Sequence, residues 1–292
     1  MRLKIHHETR YRYGHPATSV IQTLRLTPRN NAHQYVRSWR IDLSTDARLR
    51  RLDDPFGDIA HYLTIDGPID EVVITAAGEV ETDDSHGVVK GAIEKLPIEV
   101  YLRHTPLTAP DARIEAFARA AEADSDGSPL DIAHALAKRV HREIAFDTRG
   151  TTVTTPAAEV LEKGAGVCQD LTHLYLSAAR SLGFPARYVG GYMYDPASPQ
   201  PHEAGHAWAE VNVADFGWVG FDATGGISPT DTHVRVAVGL DYLGAAPVRG
   251  ARTGGGAEEL VVELWVTRLD QPASQSQTWS PDGGQSQGQS QA

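Results

Sequence analysis

The sequence predicts an α+β protein in which a β-rich N-terminal region precedes a region that combines helices with an antiparallel sheet. Three patterns support this fold class. Short segments rich in β-branched and aromatic residues fill residues 1–105. Apolar residues then recur every three or four positions between residues 114 and 182, as on one face of a helix. After residue 186 the apolar period changes to two, which is typical of strands.

The N-terminal region, residues 1–105, is expected to form a β-sandwich-like domain, because several short strands at this spacing are typical of sandwiches. The predicted strands are residues 3–13, 21–27, 36–43, 59–65 and 71–81. Turn-forming residues separate them at positions 14–16, 28–31, 53–58 and 66–68. Three prolines, at positions 97, 106 and 110, mark the boundary with the next domain.

The second domain is predicted to span residues 106–270 and to contain four helices. The stripes of the first two helices consist of Ile114, Phe117, Ala118 and Ala121, and of Leu130, Ala133, Ala137, Val140 and Ile144. Ser128 and Pro129 are suited to cap the second helix and to form its first turn. A short third helix is expected at residues 155–161, and the fourth ends at residue 181, just before Gly183.

Charge and composition exclude several classes of function. A formal net charge of −11, from 27 basic and 38 acidic residues, argues against binding to nucleic acid or to an anionic membrane surface. We find no segment that approaches the roughly 18 apolar residues of a membrane span. The first residues are charged and lack the apolar core of a signal peptide. One cysteine cannot form an internal disulfide, so a reducing cytoplasm is the expected location.

The last segment, residues 271–292, contains seven glutamines and five serines and almost no apolar residues. Such a composition cannot bury enough apolar surface to fold, so the sequence predicts a disordered tail. A solvated appendage is the simpler interpretation of this tail. A glutamine that acts as an acyl donor in cis is the alternative.

The single cysteine, Cys168, stands where the fourth helix is expected to begin. The apolar face of this helix consists of Val167, Leu171, Leu174, Ala178 and Leu182. A thiol in the first turn lies near unpaired backbone N–H groups and the positive end of the helix dipole, and both favour the nucleophilic thiolate. The alternative for a lone cysteine is a small buried hydrophobe. Residues further along the chain decide between these interpretations.

A cysteine nucleophile needs a base and a group that orients the base, and His206 and Asp222 are the candidates. If a hairpin turns at residues 214–217, Asp222 lies opposite or within a few residues of Trp208. His206 is then a diagonal neighbour of Asp222, roughly 7–8 Å away. Period-two alternation puts the apolar residues 207, 209, 211 and 213 on one face and leaves His206 on the other. Trp208 is the candidate contact with substrate, and simple packing is its alternative role.

The residues just before this strand match the zinc signature H-E-x-x-H at positions 202–206. That motif functions on a helix, where residues four apart share a face. Three preceding prolines, Gly205 and the strand that follows favour a loop, so no metal site is predicted. Zinc hydrolysis is the alternative, which tight stoichiometric zinc would support. A second histidine group, His6, His7 and His15, is interpreted as strand-face or surface histidines.

At these residues the chain resembles the bacterial transglutaminase-like superfamily. The matching blocks are G-V-C-Q-D-L-T-H-L at 166–174, L-G-F-P-A-R-Y-V-G-G-Y at 182–192, H-A-W-A-E-V at 206–211 and G-W-V-G-F-D at 217–222. Residues 231–250 and the N-terminal strands are also similar to this family. The order of the Cys, His and Asp blocks is specific, whereas each block alone is weak. Ala223 follows the aspartate, where many members have proline.

The resemblance implies a papain-like α+β catalytic domain in which Cys168, His206 and Asp222 are catalytic and no cofactor is needed. It implies amide acyl transfer through a thioester, of the peptidase, amidase or transglutaminase type, on a peptide or protein substrate. Water as the acceptor gives hydrolysis and a lysine amine gives cross-linking. Hydrolysis is favoured, because cross-linking in a cytoplasm would be hazardous. The alternative function is a catalytically silent peptide-binding module on the same fold.

Overall fold

The computed structural model describes residues 1–197, 202 and 204–269. The protein is an α+β structure with two main antiparallel sheets, which confirms the predicted fold class. The predicted tail at residues 271–292 lies outside the described residues. Among the helices described, none has the length and apolar character needed to cross a membrane.

The N-terminal region begins with four strands. They are β1 (Arg2–Thr27), β2 (Gln34–Leu43), β3 (Arg48–Asp53) and β4 (Ile59–Thr82). A 3-10 helix at Ile98–Leu102 leads to the helical part of the chain. The elements that follow are α1 (Ala112–Ala123), α2 (Pro129–Glu143), β5 (Ala145–Phe146), α3 (Ala157–Lys163), β6 (Ala165–Gly166) and α4 (Cys168–Ser181). The remaining elements are β7 (Ala186–Met193), β8 (His206–Val213), β9 (Gly217–Phe221), β10 (His233–Gly239), α5 (Tyr242–Ala245), β11 (Val248–Gly254) and β12 (Glu258–Arg268).

Two of the predicted turns lie inside long strands. Residues 14–16 belong to β1 and residues 66–68 belong to β4, so the prediction of separate strands there was wrong. The ladder between β1 and β4 changes register between Arg12 and Ala17. An irregularity of this kind bends and twists a strand without ending it. Each long strand therefore belongs to both halves of the folded sheet.

The N-terminal sheet folds over a core of its own. β2 pairs with the C-terminal half of β4, and β3 pairs with the N-terminal half. Buried side chains from both halves belong to one cluster, which includes Val20, Leu24, Leu63, Ile74 and Ala76. The two halves of the sheet therefore face each other across this cluster. The sandwich-like character of the region comes from one folded sheet.

Both ends of the chain contribute to this sheet. β11 and β12 pair antiparallel with β1, so that Leu24 opposes Val248 and Leu3 opposes Arg268. The division into domains at residue 105 stays a prediction. The strands β11 and β12, which follow residue 105 in the chain, complete the N-terminal sheet. Local sequence patterns did not indicate this pairing.

The second sheet carries the candidate site and has the strand order β10-β7-β8-β9. Helix α4 packs against β7 and β8, and α1, α2 and α3 pack around α4. Leu171 and Leu174 of the helix belong to the same buried core as Ala207 and Val211 of β8. The predicted apolar face of β8 therefore faces this helix. Ser128 caps α2 by accepting a hydrogen bond from a backbone N–H, as the sequence predicts.

Buried polar contacts join the two sheets. The side-chain amide of Gln34 in β2 bonds the backbone of Arg235 in β10 in both directions, at 2.8 and 2.9 Å. His7 of β1 hydrogen-bonds with the hydroxyl of Tyr192 in β7 at 3.1 Å. These contacts hold the N-terminal sheet against the strands that carry the candidate site.

Candidate active site

Cys168 is the first residue of α4, as the sequence predicts, and it is half-buried. Val167 before it is extended, and its N–H donates to the carboxylate of Asp170 at 2.9 Å. Thr151 donates its hydroxyl to the same carboxylate oxygen at 2.6 Å. These two bonds fix the first turn of the helix. They hold the cysteine where backbone N–H groups have no acceptor within the helix.

A hairpin brings His206 and Asp222 together. His206 begins β8, Asp222 comes directly after β9, and residues 214–216 connect the two strands. Ala209 pairs with Phe221, so one further step along the ladder puts Asp222 level with Trp208. The Nε2 atom of His206 lies 2.8 Å from Oδ2 of Asp222, a hydrogen-bond distance. The register is the one that the alternation and turn position predict.

The side chain of Cys168 lies near the start of β8, where His206 is located. Its Sγ is 4.0 Å from the carbonyl oxygen of Gly205, the residue before His206. Burial lowers the pKa of His206, but hydrogen bonds to Asp222 and Cys168 and the charges of these groups outweigh burial and raise the pKa to about 10. The favoured form of His206 at neutral pH is therefore an imidazolium.

The carboxylate of Asp222 is buried and hydrogen-bonded at both oxygens. Oδ1 accepts from the backbone N–H groups of Thr224 and Gly225 at 2.9 and 3.2 Å. Oδ2 is bonded by His206 and lies 3.3 Å from Nε2 of His233. Burial raises the pKa of Asp222, but the hydrogen bonds from His206 and His233 and the charge of His206 outweigh it and hold the pKa well below its usual range. Asp222 is therefore a stable anion that can orient His206.

Sequence reasoning assigned no role to His233, the first residue of β10. Its ring is buried, with its centroid 5.6 Å from that of His206 and 5.4 Å from that of Trp208. The Nδ1 atom accepts a hydrogen bond from the N–H of Thr230 at 3.2 Å and lies 3.0 Å from the hydroxyl of Thr232. The ring is therefore held from both sides of its imidazole.

Non-local pairing explains why His233 was missed. Strand β7 lies between β8 and β10, and on it Gly191 opposes His206 while Met193 opposes His233. The available signal was a histidine directly before the alternating residues Val234, Val236 and Val238. That signal becomes informative only when the order of the strands in the sheet is known.

The ligand atoms of His206, Asp222 and His233 lie within 4.8 Å of one another, a spacing that is compatible with a metal ion. A metal on Nε2 of His233 would leave the proton of the neutral ring on Nδ1. That proton would face the N–H of Thr230, which instead needs an acceptor. The arrangement therefore favours a hydrogen-bonded cluster over a metal centre.

The described part of the H-E-x-x-H stretch is not helical. His202 forms an antiparallel bridge with Leu264 of β12, and His206 begins β8. Residues four apart share a face in a helix but not in this geometry. Glu203, the remaining chemical group of the motif, lies outside the described residues. The zinc interpretation therefore lacks the helix that it requires.

Trp208 is 3% exposed and offers little surface to a substrate. Its indole packs perpendicular to the ring of His233 and contacts Val189 and Val238. This burial argues against the predicted contact with substrate. It favours packing, the alternative that the sequence left open, with the indole as a support for the histidine rings.

Two tyrosines, Tyr188 of β7 and Tyr242 of α5, lie near Cys168. Their rings are perpendicular to each other, with centroids 6.2 Å apart. Burial, and then the nearby charge of Cys168, raise the pKa of both phenols. Both hydroxyls therefore keep their protons at neutral pH and remain hydrogen-bond donors.

Two family models match this chain. Residues 3–81 match the bacterial transglutaminase-like N-terminal region, and residues 116–223 match the transglutaminase-like superfamily. Together the matches cover more than half of the sequence. The second match includes Cys168, His206 and Asp222.

Two mycobacterial proteins are similar to the chain over most of its length. The uncharacterized protein ML0607 of Mycobacterium leprae is 29% identical over 280 residues, which are 92% of this chain and 99% of the relative. The uncharacterized protein Rv2569c of Mycobacterium tuberculosis H37Rv is 28% identical over 275 residues, which are 85% of this chain and 87% of the relative.

A crystal structure of a candidate cysteine protease from Cytophaga hutchinsonii has the same fold. It aligns with a TM-score of 0.72 and 18% sequence identity over 94% of this chain and 92% of that chain. The alignment extends over both the N-terminal β region and the papain-like core.

Proposed function

Because this chain belongs to the transglutaminase-like superfamily, we propose that it is an enzyme that transfers the acyl group of an amide through a thioester on Cys168. The observation that carries the proposal is the proximity of three groups: the Cys168 side chain lies beside the residue before His206, and His206 is hydrogen-bonded with Asp222. The His206–Asp222 bond is 2.8 Å long and the pKa of His206 is raised to about 10. A cysteine, a base and an orienting carboxylate in this order are what thiol acyl transfer needs.

Acylation starts from the favoured imidazolium form of His206, in which the ring already holds the proton given up by Cys168 and the sulfur is a thiolate. The sulfur attacks the carbonyl carbon of a peptide or carboxamide, and the carbonyl oxygen becomes an oxyanion. The Cys168 backbone N–H, in the first turn of α4, is the oxyanion donor that we propose. Loss of one such donor typically costs about 2.7–4 kcal/mol of transition-state stabilisation. His206 then gives its proton to the departing nitrogen, the C–N bond breaks, and a thioester remains.

Deacylation reverses the roles of the same groups. His206 takes a proton from the acceptor, whose oxygen or nitrogen attacks the thioester carbonyl. The C–S bond breaks, and the sulfur is again a thiolate beside the His206 imidazolium. Asp222 accepts from Nε2 of His206 throughout, which leaves Nδ1 as the atom that exchanges protons with Cys168 and the acceptor.

We propose hydrolysis of a peptide or protein amide as the overall reaction, with transfer to a lysine amine as the competing outcome. Cys168 is half-buried, so part of its side chain remains open to a substrate. A cytoplasmic location, expected from the single cysteine, is part of this proposal. No cofactor enters any step.

The test incubates the full chain with a mixture of peptides that contain glutamine and lysine. Mass spectrometry then follows addition of water, loss of ammonia and formation of linked peptides. The variants are Cys168→Ala and His206→Ala, and the matched control is His86→Ala, whose side chain is 90% exposed. We expect products with wild type and the control, and none with the two site variants.

Products that persist in Cys168→Ala would contradict a thioester on this residue. A complete absence of Cys168-dependent products across a broad mixture would instead favour the silent peptide-binding module. Hydrolysed peptides identify water as the acceptor, whereas linked glutamine–lysine pairs identify an amine.

A further inference from the structure

We infer that His233 is a positioning residue of this site: its neutral ring donates a hydrogen bond from Nε2 to Asp222 and so fixes the carboxylate that orients His206. The inference rests on the proposed function, in which His206 is the base for Cys168. It adds a second imidazole to the three residues that the sequence indicated.

The hydrogen bonds around His233 define its tautomer. The backbone N–H of Thr230 can only donate, and it points at Nδ1 of the ring over 3.2 Å. Nδ1 must therefore carry a lone pair, and the proton of the neutral ring lies on Nε2. The hydroxyl of Thr232, 3.0 Å from the same nitrogen, can donate as well. Nε2 faces Oδ2 of Asp222 at 3.3 Å, where its proton is needed.

The position of the ring is fixed by its surroundings. His233 opens β10, and its pairing with Met193 of β7 holds its backbone in the sheet. The indole of Trp208 packs perpendicular to the ring at a centroid distance of 5.4 Å. The side chain is 3% exposed, so water has little access to it. A hydrogen-bond donor that is fixed in this way restrains the carboxylate that it contacts.

The carboxylate has few other ways to turn. Its Oδ1 is bonded by the backbone N–H groups of Thr224 and Gly225, and its Oδ2 is shared by His206 and His233. The bond to His206, at 2.8 Å, is shorter than the 3.3 Å contact to His233. We interpret the first bond as the one that orients the base and the second as the one that keeps Oδ2 in place.

Three ionisable groups act on His206, each from a different element. Cys168 approaches from the start of α4, Asp222 from the end of β9, and the ring of His233 from the start of β10. A neutral His233 adds no positive charge beside the imidazolium. His233 therefore restrains the Asp222 carboxylate, while the negative charge of Asp222 remains available to stabilise the His206 imidazolium.

The test uses alkylation of Cys168 by iodoacetamide, which needs no knowledge of the substrate and reports on a single thiol in this chain. We compare wild type with His233→Phe, which keeps a ring but has no donor, and with His233→Gln, which can place an amide donor near Asp222. Rates are measured from pH 5 to 9 by intact-protein mass spectrometry. Circular dichroism and thermal unfolding confirm that each variant is folded.

If Cys168 and His206 form a thiolate–imidazolium pair, wild type reacts at pH 6 nearly as fast as at pH 9. We expect His233→Phe to lower the rate at pH 6 by about 10- to 100-fold, the effect of one hydrogen bond to a charged group. The two rates should converge at pH 9, above the ordinary pKa of a thiol, about 8.5. We expect His233→Gln to recover most of the rate at pH 6.

A folded His233→Phe protein with the pH profile of wild type would overturn the role of His233 while leaving the proposed function intact. A wild-type rate that rises only near the ordinary thiol pKa of about 8.5 would instead contradict the Cys168–His206 pair. Long-range nitrogen NMR of histidine-labelled wild type tests the tautomer even if His233→Phe does not fold. A proton on Nδ1 of His233 would overturn the inference, and a proton on Nε2 would support it.

Discussion

Two buried carboxylates on the same hairpin use charge in different ways. Glu210 of β8 is bonded by two arginines, Arg187 at 2.7 Å and Arg235 at 2.8 Å. Asp222, after β9, is contacted by two histidines, His206 at 2.8 Å and His233 at 3.3 Å. The two clusters have similar burial and similar distances, but the side chains that contact the two carboxylates differ.

The arginine cluster cannot exchange protons near neutral pH. Burial raises the pKa of Glu210, but the charges and hydrogen bonds of Arg235 and Arg187 outweigh burial and lower it to about 2. Arginine stays protonated in proteins, so this charge pattern is constant. Arg187 also bonds Glu94 at 2.7 Å and stacks over the ring of Trp218, which joins the sheet to the segment before α1.

The histidine cluster can exchange protons because imidazole titrates near neutral pH and its pKa depends on its neighbours. The comparison indicates that the permanently charged arginines around Glu210 stabilise the structure. The titratable imidazoles around Asp222 are suited to catalysis. A substitution of Asp222 should therefore mainly lower activity, whereas a substitution of Glu210 should mainly lower stability.

The largest expected effect is the loss of activity in Asp222→Asn. The amide keeps the shape of the side chain but can present a donor to His206, which favours the wrong tautomer. The corresponding change in a serine triad lowers kcat by about 10⁴-fold. We expect a comparable loss of Cys168-dependent product formation, measured by mass spectrometry, in a protein that remains folded. Activity within tenfold of wild type would remove Asp222 from the mechanism.

Glu210→Gln should cause the largest loss of stability. The change leaves Arg187 and Arg235 buried with too little negative charge, which typically destabilises by about 3–5 kcal/mol. Urea denaturation measures the free energy of unfolding. The control is Glu79→Gln, which breaks an exposed pair with Arg2 and should cost at most about 1 kcal/mol. Equal effects of the two changes would show that the buried cluster carries no special structural role.

The pH dependence of stability should identify His206. Its pKa is raised from 6.5 to about 10 in the folded protein. A group with a raised folded pKa stabilises the fold fully below its unfolded pKa, and this contribution is lost as the pH rises through the folded pKa. The free energy of unfolding of wild type should therefore fall between about pH 6.5 and 10 relative to His206→Gln. Parallel curves for the two proteins would contradict the coupling.

The smallest expected effect concerns the first turn of α4. Thr151→Val removes the hydroxyl that bonds Asp170, whose carboxylate also accepts from Val167. One hydrogen bond of this kind contributes about 0.5–1.5 kcal/mol net, or up to about 3 kcal/mol when its partner is charged. We expect a modest drop in thermal stability and a lower rate of Cys168 alkylation. Thr154→Val, at an exposed position on the same loop, is the matched control.

Predictions for the helix and the hairpin of the candidate site agree with the structure, whereas the local turn predictions at residues 14–16 and 66–68 do not. Cys168 starts a helix because a single apolar stripe defines that helix, and the level of Asp222 follows from one short hairpin. His233 could not be assigned in this way, because it reaches Asp222 only through the pairing of β10 with β7. The same reason explains β11 and β12, whose partner β1 lies at the other end of the chain.

Burial was also difficult to predict from the sequence. The sequence indicated Trp208 as a candidate contact with substrate and left packing as the alternative. Its indole packs against Val238 of β10, and this contact depends on the order of the strands in the sheet.

The most direct test of the central claim is a histidine NMR titration of the full chain between pH 5 and 10.5, with His206 assigned from His206→Gln. The coupled site predicts that His206 stays protonated through pH 8 and titrates near pH 10. Asp222→Asn should move this titration to lower pH. A wild-type His206 that loses its proton near pH 6.5, the ordinary value for histidine, would contradict the account.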